Sequence, residues 1–116
     1  MGAVDLKRAA PLFAALGDPT RLKLVARLAQ GSQSTTRLTV GTRLTRQAVT
    51  KHLRALEHAG LLQSQSAGRE RLWSLEPRRL AEAQRHLSTI SAQWDAAIER
   101  LRGSLEKPGR KTSTVE

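Results

Sequence analysis

Between Thr45 and Arg54 the chain reads Thr-Arg-Gln-Ala-Val-Thr-Lys-His-Leu-Arg. If this stretch is a helix that turns Val49, Leu53 and Leu56 inward, then Arg46, Gln47, Thr50, Lys51 and Arg54 share its outer face. Those side chains suit duplex DNA. Arginine can give two hydrogen bonds to guanine O6 and N7, glutamine can pair in the same way with adenine N6 and N7, and threonine offers a hydroxyl or a methyl. Arg46, Gln47 and Thr50 lie in the N-terminal half and suit base edges, whereas Lys51 and Arg54 suit phosphate. Thr45 stands in front as a capping residue. The plainer alternative is a solvated helix face carrying ordinary charge.

A second basic group follows at Ala67-Gly68-Arg69-Glu70-Arg71. At the tip of a hairpin, Arg69 and Arg71 can reach phosphate or the minor groove, with Glu70 offsetting part of their charge. The alternative is an edge strand kept soluble by its charges. Catalytic chemistry is not expected. His52 and His58 have no partnered nucleophile, so no triad can be built, and there is no phosphate-loop glycine pattern. Glu82, His86, Asp95 and Glu99 offer one histidine and scattered carboxylates, a poor donor set for zinc. They read better as ion pairs with Arg85, Arg100 and Arg102. No metal or other cofactor is expected.

These side chains need elements to hold them. Leu6, Ala9, Ala10, Phe13 and Leu16 recur at helical spacing after Asp5 and before Gly17, which predicts a first helix, with Pro11 delaying or kinking it. Asp18-Pro19 starts a second helix, with Leu22, Val25, Ala26 and Leu28 or Ala29 on its apolar face and Gly31 as its stop. Ser32 to Thr36 reads as a polar loop and Thr35 to Gly41 as a short segment. Thr45 to Ala59 is the helix described above, ended by Gly60. From Leu61 to Leu75 the period changes to two, with a turn at Ala67-Gly68, which predicts a β-hairpin. Pro77 opens a long helix in which Leu80, Ala83, Leu87, Ile90, Trp94, Ala97 and Leu101 alternate spacings of three and four. The expected fold is mainly α (α+β): a winged helix-turn-helix with one hairpin wing and a long C-terminal dimerisation helix. One domain is expected over residues 1–106, followed by a disordered basic tail over 107–116.

Composition narrows the partners. The 116 residues carry 20 Lys+Arg against 10 Asp+Glu, a net charge of +10, which favours a polyanion. Cysteine is absent, which excludes a disulfide framework, a thiolate metal site and a catalytic thiol. No apolar run approaches the ~20 residues needed to span a bilayer, and Met1 to Leu16 lacks the pattern of a secretory signal, so no membrane partner and a cytoplasmic address are expected.

With these residues in view the sequence resembles the arsenic-resistance-repressor (ArsR-type) family of winged helix-turn-helix regulators, as a cysteine-free member. The resemblance is carried by Phe13 to Leu22, Leu44 to Leu53, Leu56 to Leu62 and Gly68-Arg69, and it covers roughly Leu12 to Leu75. It implies a homodimeric DNA-binding repressor, acting near its own promoter, that dimerises through its first and last helices. The heptad pattern points independently the same way, because an isolated helix with Ile90 and Trp94 on one seam leaves an apolar strip exposed. The expected interface comprises Leu12, Phe13, Leu87, Ile90, Trp94 and Leu101. Family members that sense metals carry cysteines on the short helix before the turn, where this chain has Arg37 to Arg43 with no Cys, His, Asp or Glu. The inducing small molecule is therefore unknown.

The functional expectation is a sequence-specific transcriptional regulator, a homodimeric repressor on a palindromic operator in double-stranded DNA. Two alternatives are a winged-helix protein-interaction module and a nucleoid-type protein that binds DNA by charge alone.

Overall fold

The computed structural model describes residues 4–106. The segment 107–116, read above as a basic tail, lies outside them. The elements run α1 (Leu6–Leu16), α2 (Pro19–Leu28), β1 (Gln33–Ser34), α3 (Thr35–Thr39), α4 (Arg46–His58), β2 (Leu62–Ala67), β3 (Glu70–Leu75) and α5 (Pro77–Glu106). This is a winged helix-turn-helix with a long C-terminal helix.

Side chains start most of the helices. Asp5, Asp18, Ser34 and Thr45 accept from the backbone N–H of Arg8, Arg21, Arg37 and Ala48, at 3.3, 3.0, 3.1 and 3.0 Å. Each such cap contributes about 1 kcal/mol. Pro11 neither delays α1 nor ends it, since the helix begins at Leu6 and continues through the proline. The end of α4 is equally well defined. Gly60 N–H bonds to Glu57 O at 2.8 Å and Leu61 N–H to Leu56 O at 3.0 Å, with Gly60 at φ +85°. That pair of bonds needs a left-handed residue, which glycine supplies without a Cβ penalty.

The core is built from Leu12, Leu24, Leu28, Leu38, Val49, Leu53, Leu56, Leu61, Leu62 and Trp73, with Leu80 and Ala83 seating the start of α5. The α4 face is as its spacing predicts: Val49, Leu53 and Leu56 are buried. Two other faces differ. In α1 the buried residues are Ala9, Leu12 and Ala15, while Leu6 is 72% exposed. The helix is apolar almost all round, so its periodicity supports either stripe, and packing selects the one centred on Leu12. Leu12 is therefore sealed in this chain's own core and cannot line a dimer interface, which corrects that expectation. In α2 the buried pair is Leu24 and Leu28, and Leu22 is exposed.

The loop expected at Ser32 to Thr36 is in part a strand. Gln33 and Ser34 pair antiparallel with Trp73 and Leu72, giving a three-stranded sheet of order β1-β3-β2. Two residues of strand leave almost no alternating pattern to read. In the hairpin, Leu62 faces Leu75 and Ala67 faces Glu70, and Gly68-Arg69 close the turn with Gly68 at φ +64°.

Candidate nucleic-acid interface

The outer surface of α4 is defined by what its inner surface buries. With Val49, Leu53 and Leu56 in the core, Gln47, Lys51 and Arg54 point away from it and are exposed. Arg46 and Thr50 flank them on the side of the wing. Thr45 is spent on the cap, and the Thr50 hydroxyl donates to Arg46 O at 2.8 Å. Thr50 therefore offers its methyl group and the acceptor side of its hydroxyl outward rather than a free donor.

The wing is tied to this helix through carboxylates. Arg71 Nη1 donates to the Ser64 hydroxyl at 3.0 Å, Ser64 donates to Glu57 Oε2 at 2.7 Å, and Arg54 Nη1 donates to Glu57 Oε1 at 2.8 Å. This chain of bonds runs from β3 through β2 to α4. The Ser64 hydroxyl, and behind it the Arg54 guanidinium, hold the Glu57 carboxyl below the usual carboxylate range. Arg71 also reaches the Ser66 hydroxyl at 3.3 Å and so lies back along the strands, whereas Arg69 stands exposed at the turn. The structure brings Arg46, Gln47, Lys51, Arg54 and the wing arginines to neighbouring parts of one surface, but only Arg69 projects from the tip.

Three positioning roles escaped the sequence reading, which takes Glu70 only as an offset to the wing charge. Arg27 on α2 gives its guanidinium to the carbonyls of Arg37, Leu38 and Val40 at 2.7, 2.9 and 2.9 Å, which fixes the end of α3 and the turn before α4. Thr35, the buried polar residue at the start of α3, accepts from Trp73 Nε1 at 2.8 Å. Glu70 accepts from the Thr36 hydroxyl at 2.8 Å and from Arg46 Nη2 at 3.4 Å. Their partners lie between 10 and 38 positions away in sequence, beyond any helical or strand period. His52 turns inward, with Nδ1 3.9 Å from Asp18 Oδ1.

On α5, Glu82 and Glu99 are in ion pairs, Glu99 with Arg102 at 3.4 Å. Glu82 accepts from Arg8 Nη2 at 2.8 Å and from Arg79 Nη1 at 2.9 Å. Among the described residues no three of His, Cys, Asp and Glu come together as a metal site. No described helix is long and apolar enough to cross a membrane. From Leu87 onward five large apolar side chains of α5 are exposed: Leu87, Trp94, Ile98, Leu101 and Leu105, at 53, 63, 44, 63 and 81%. At 3.6 residues per turn they fall within about 60° of each other around the helix axis. Ile90 and Phe13 are half-buried. Ile98 was missed because the spacing pattern runs equally well through Ala97.

A capped helix presenting Arg and Gln outward, set on a short preceding helix and flanked by a basic wing, defines a transcriptional regulator with a winged helix-turn-helix DNA-binding domain. Known proteins agree. A helix-turn-helix domain family model matches residues 16–65. The HTH-type transcriptional regulator Rv2034 of Mycobacterium tuberculosis is 34% identical over 84 residues, covering 72% of this chain and 76% of that protein. An ArsR-like transcriptional regulator from Rhodococcus sp. RHA1 has a structure similar at TM-score 0.66 and 34% identity, over 84% of this chain and 92% of that one. The crystal structure of a possible transcriptional regulator for arsenical resistance matches at TM-score 0.67 and 31% identity, over 81% of this chain and 94% of that one. The chain belongs to the ArsR family of winged helix-turn-helix regulators.

Proposed function

We propose that the protein is a homodimeric, sequence-specific repressor that reads a palindromic operator. The observation that carries this reading is the outer face of α4, where exposed Gln47, Lys51 and Arg54 stand beside Arg46 and next to the wing. In that reading Arg46, Gln47 and Thr50 meet base edges, Lys51 and Arg54 meet phosphate, and Arg69 reaches the backbone beyond the groove, with Arg71 bracing the wing. Thr45 contributes by fixing the start of the helix.

Two copies pair along the bare strip of α5. Leu87, Trp94 and Leu101 carry the contact with Ile98 and Leu105, and Ile90 and Phe13 lie at its margin. A strip of this length left in water is costly, and a second copy of the same strip covers it with no new chemistry. Pairing sets the two α4 helices to enter successive major grooves, so half-sites stand about one helical turn apart. A bound dimer at a promoter then excludes polymerase. The address that goes with this role is the cytoplasm.

Fluorescence anisotropy with two labelled duplexes tests the reading: the DNA just upstream of the gene, and a shuffled version of it, each at low and physiological salt. The expected result is a preference for the upstream duplex that survives physiological salt. Equal binding to both that disappears with salt would instead support a nucleoid-type protein. Binding to neither would support an interaction module.

A further inference from the structure

Glu70 is a carboxylate set between Arg69 and Arg71 on the wing and facing Arg46 of α4. It sits directly after the wing turn, yet its first oxygen is held by the Thr36 hydroxyl of α3 at 2.8 Å. Its second oxygen faces Arg46 Nη2 of α4 at 3.4 Å. The side chains of Arg46 and Glu70 are 57% and 41% exposed, so the pair is open to any incoming ligand. We infer that Glu70 is a specificity-determining residue: anchored on Thr36, it partly neutralises Arg46 and so penalises contact with phosphate more than contact with a base. The inference rests on the reading of Arg46 as a DNA-contacting side chain given above.

The reasoning is electrostatic and geometric. A guanidinium carries five N–H donors in a fixed fork. One faces Glu70, and four remain, enough for the two bonds that guanine O6 and N7 accept. Guanine is a neutral partner, so Arg46 can bind it while Glu70 still balances its charge. Phosphate is an anion. To bind it, Arg46 brings it beside the Glu70 carboxylate, and the compensated cation releases less counterion in doing so. Glu70 does not move freely to escape this repulsion, because the Thr36 bond fixes it from a different element. Glu57, on α4 itself, is engaged with Ser64 and Arg54 and lies farther along the helix.

The test uses the full chain and a duplex selected from a random library by the parent protein, with a shuffled duplex as reference. Glu70→Gln keeps the size and removes the charge. It is expected to raise affinity for the shuffled duplex about 3–10-fold at low salt and to steepen its salt dependence by about one counterion per protomer. Affinity for the selected duplex changes less than about twofold, so the preference falls. In an Arg46→Ala background the same substitution is expected to leave the preference unchanged. Thr36→Val, which keeps the charge but frees it, is expected to lower the preference by a smaller factor, and it carries the test if Glu70→Gln does not melt cooperatively. An equal gain on both duplexes, or an effect that persists without Arg46, overturns the inference, because then the carboxylate acts only as a general field. A parent protein that enriches no sequence overturns the reading of the previous section and this one with it.

Discussion

The guanidinium of Arg54 lies over the indole of Trp73, 5.2 Å from the ring centroid. The same indole is buried in the core and donates to Thr35 at 2.8 Å. One aromatic residue of β3 thus touches α4 through its face and α3 through its nitrogen. It fixes the wing, the short helix and the outward-facing helix in one geometry. Arg54 is also paired to Glu57, so its charge is presented from a set position rather than from a flexible arm.

This arrangement separates charge from stacking. Arg54→Ala is expected to weaken binding to all DNA sequences alike and to lower the salt slope by about one counterion per protomer. Arg54→Lys keeps the charge but loses the planar stack and the fork toward Glu57. Its affinity is expected to fall between parent and alanine variant, with the salt slope retained. Titrations at several salt concentrations give both quantities.

Base readout has a different signature. Arg46→Ala or Gln47→Ala is expected to cost about 1–3 kcal/mol at particular base pairs and little at others. Binding to a panel of single-base operator variants shows it as a flattened preference at one or two positions. Unchanged affinity and preference for Arg46→Ala would mean that the reading face lies elsewhere.

The Thr35–Trp73 bond has a stability cost that can be measured alone. Thr35→Val keeps the shape and removes the acceptor, leaving a buried indole N–H unpaired. The expected loss is about 1–3 kcal/mol in urea unfolding, with the m-value unchanged.

How much of this was legible in the sequence follows from the range of the interactions. The α4 face, the hairpin and the caps at Asp5, Asp18 and Thr45 were legible because each depends on residues within a few positions of one another. The orientation of α1 was not, since Ala9, Ala10, Leu12, Phe13 and Ala15 make two competing stripes and only contact with the rest of the core chooses between them. The two-residue strand at Gln33–Ser34 was hidden because its hydrogen bonds belong to β3. The same holds for the site. The cations were visible as types and spacings, but the bonds that set their geometry, Glu57 to Ser64, Glu70 to Thr36 and Arg46, and Arg27 to the carbonyls before α4, join residues that only the fold brings together.

The exposed strip on α5 predicts assembly. Trp94→Glu or Leu101→Glu is expected to shift the protein toward monomer in sedimentation equilibrium and to weaken binding to a two-half-site duplex far more than to a single half-site. Both residues are exposed in the single chain, so the protomer should still fold, with only the concentration-dependent part of its melting temperature lost. Trp94 also reports directly: in a Trp73→Phe background its emission is expected to shift to shorter wavelength as protein concentration rises and the strip is covered.

The join between α1 and α5 predicts a pH dependence with a definite sign. Hydrogen bonding to Arg8, followed by that to Arg79, draws the Glu82 pKa down to about 2 from an ordinary 4.5. In the unfolded chain Glu82 takes up a proton near 4.5, whereas in the folded chain it resists until about 2. Between those values the unfolded state binds more protons, so the stability that Glu82 contributes is fully present above the higher value and is lost as pH falls toward the lower. Other carboxylates titrate over the same range, and the comparison with Glu82→Gln isolates this one. The parent is expected to be the more stable at neutral pH, with the gap closing through that window and gone near its lower end. A gap that stays constant across the acid range would mean that Glu82 acts there through packing rather than through its charge on Arg8 and Arg79.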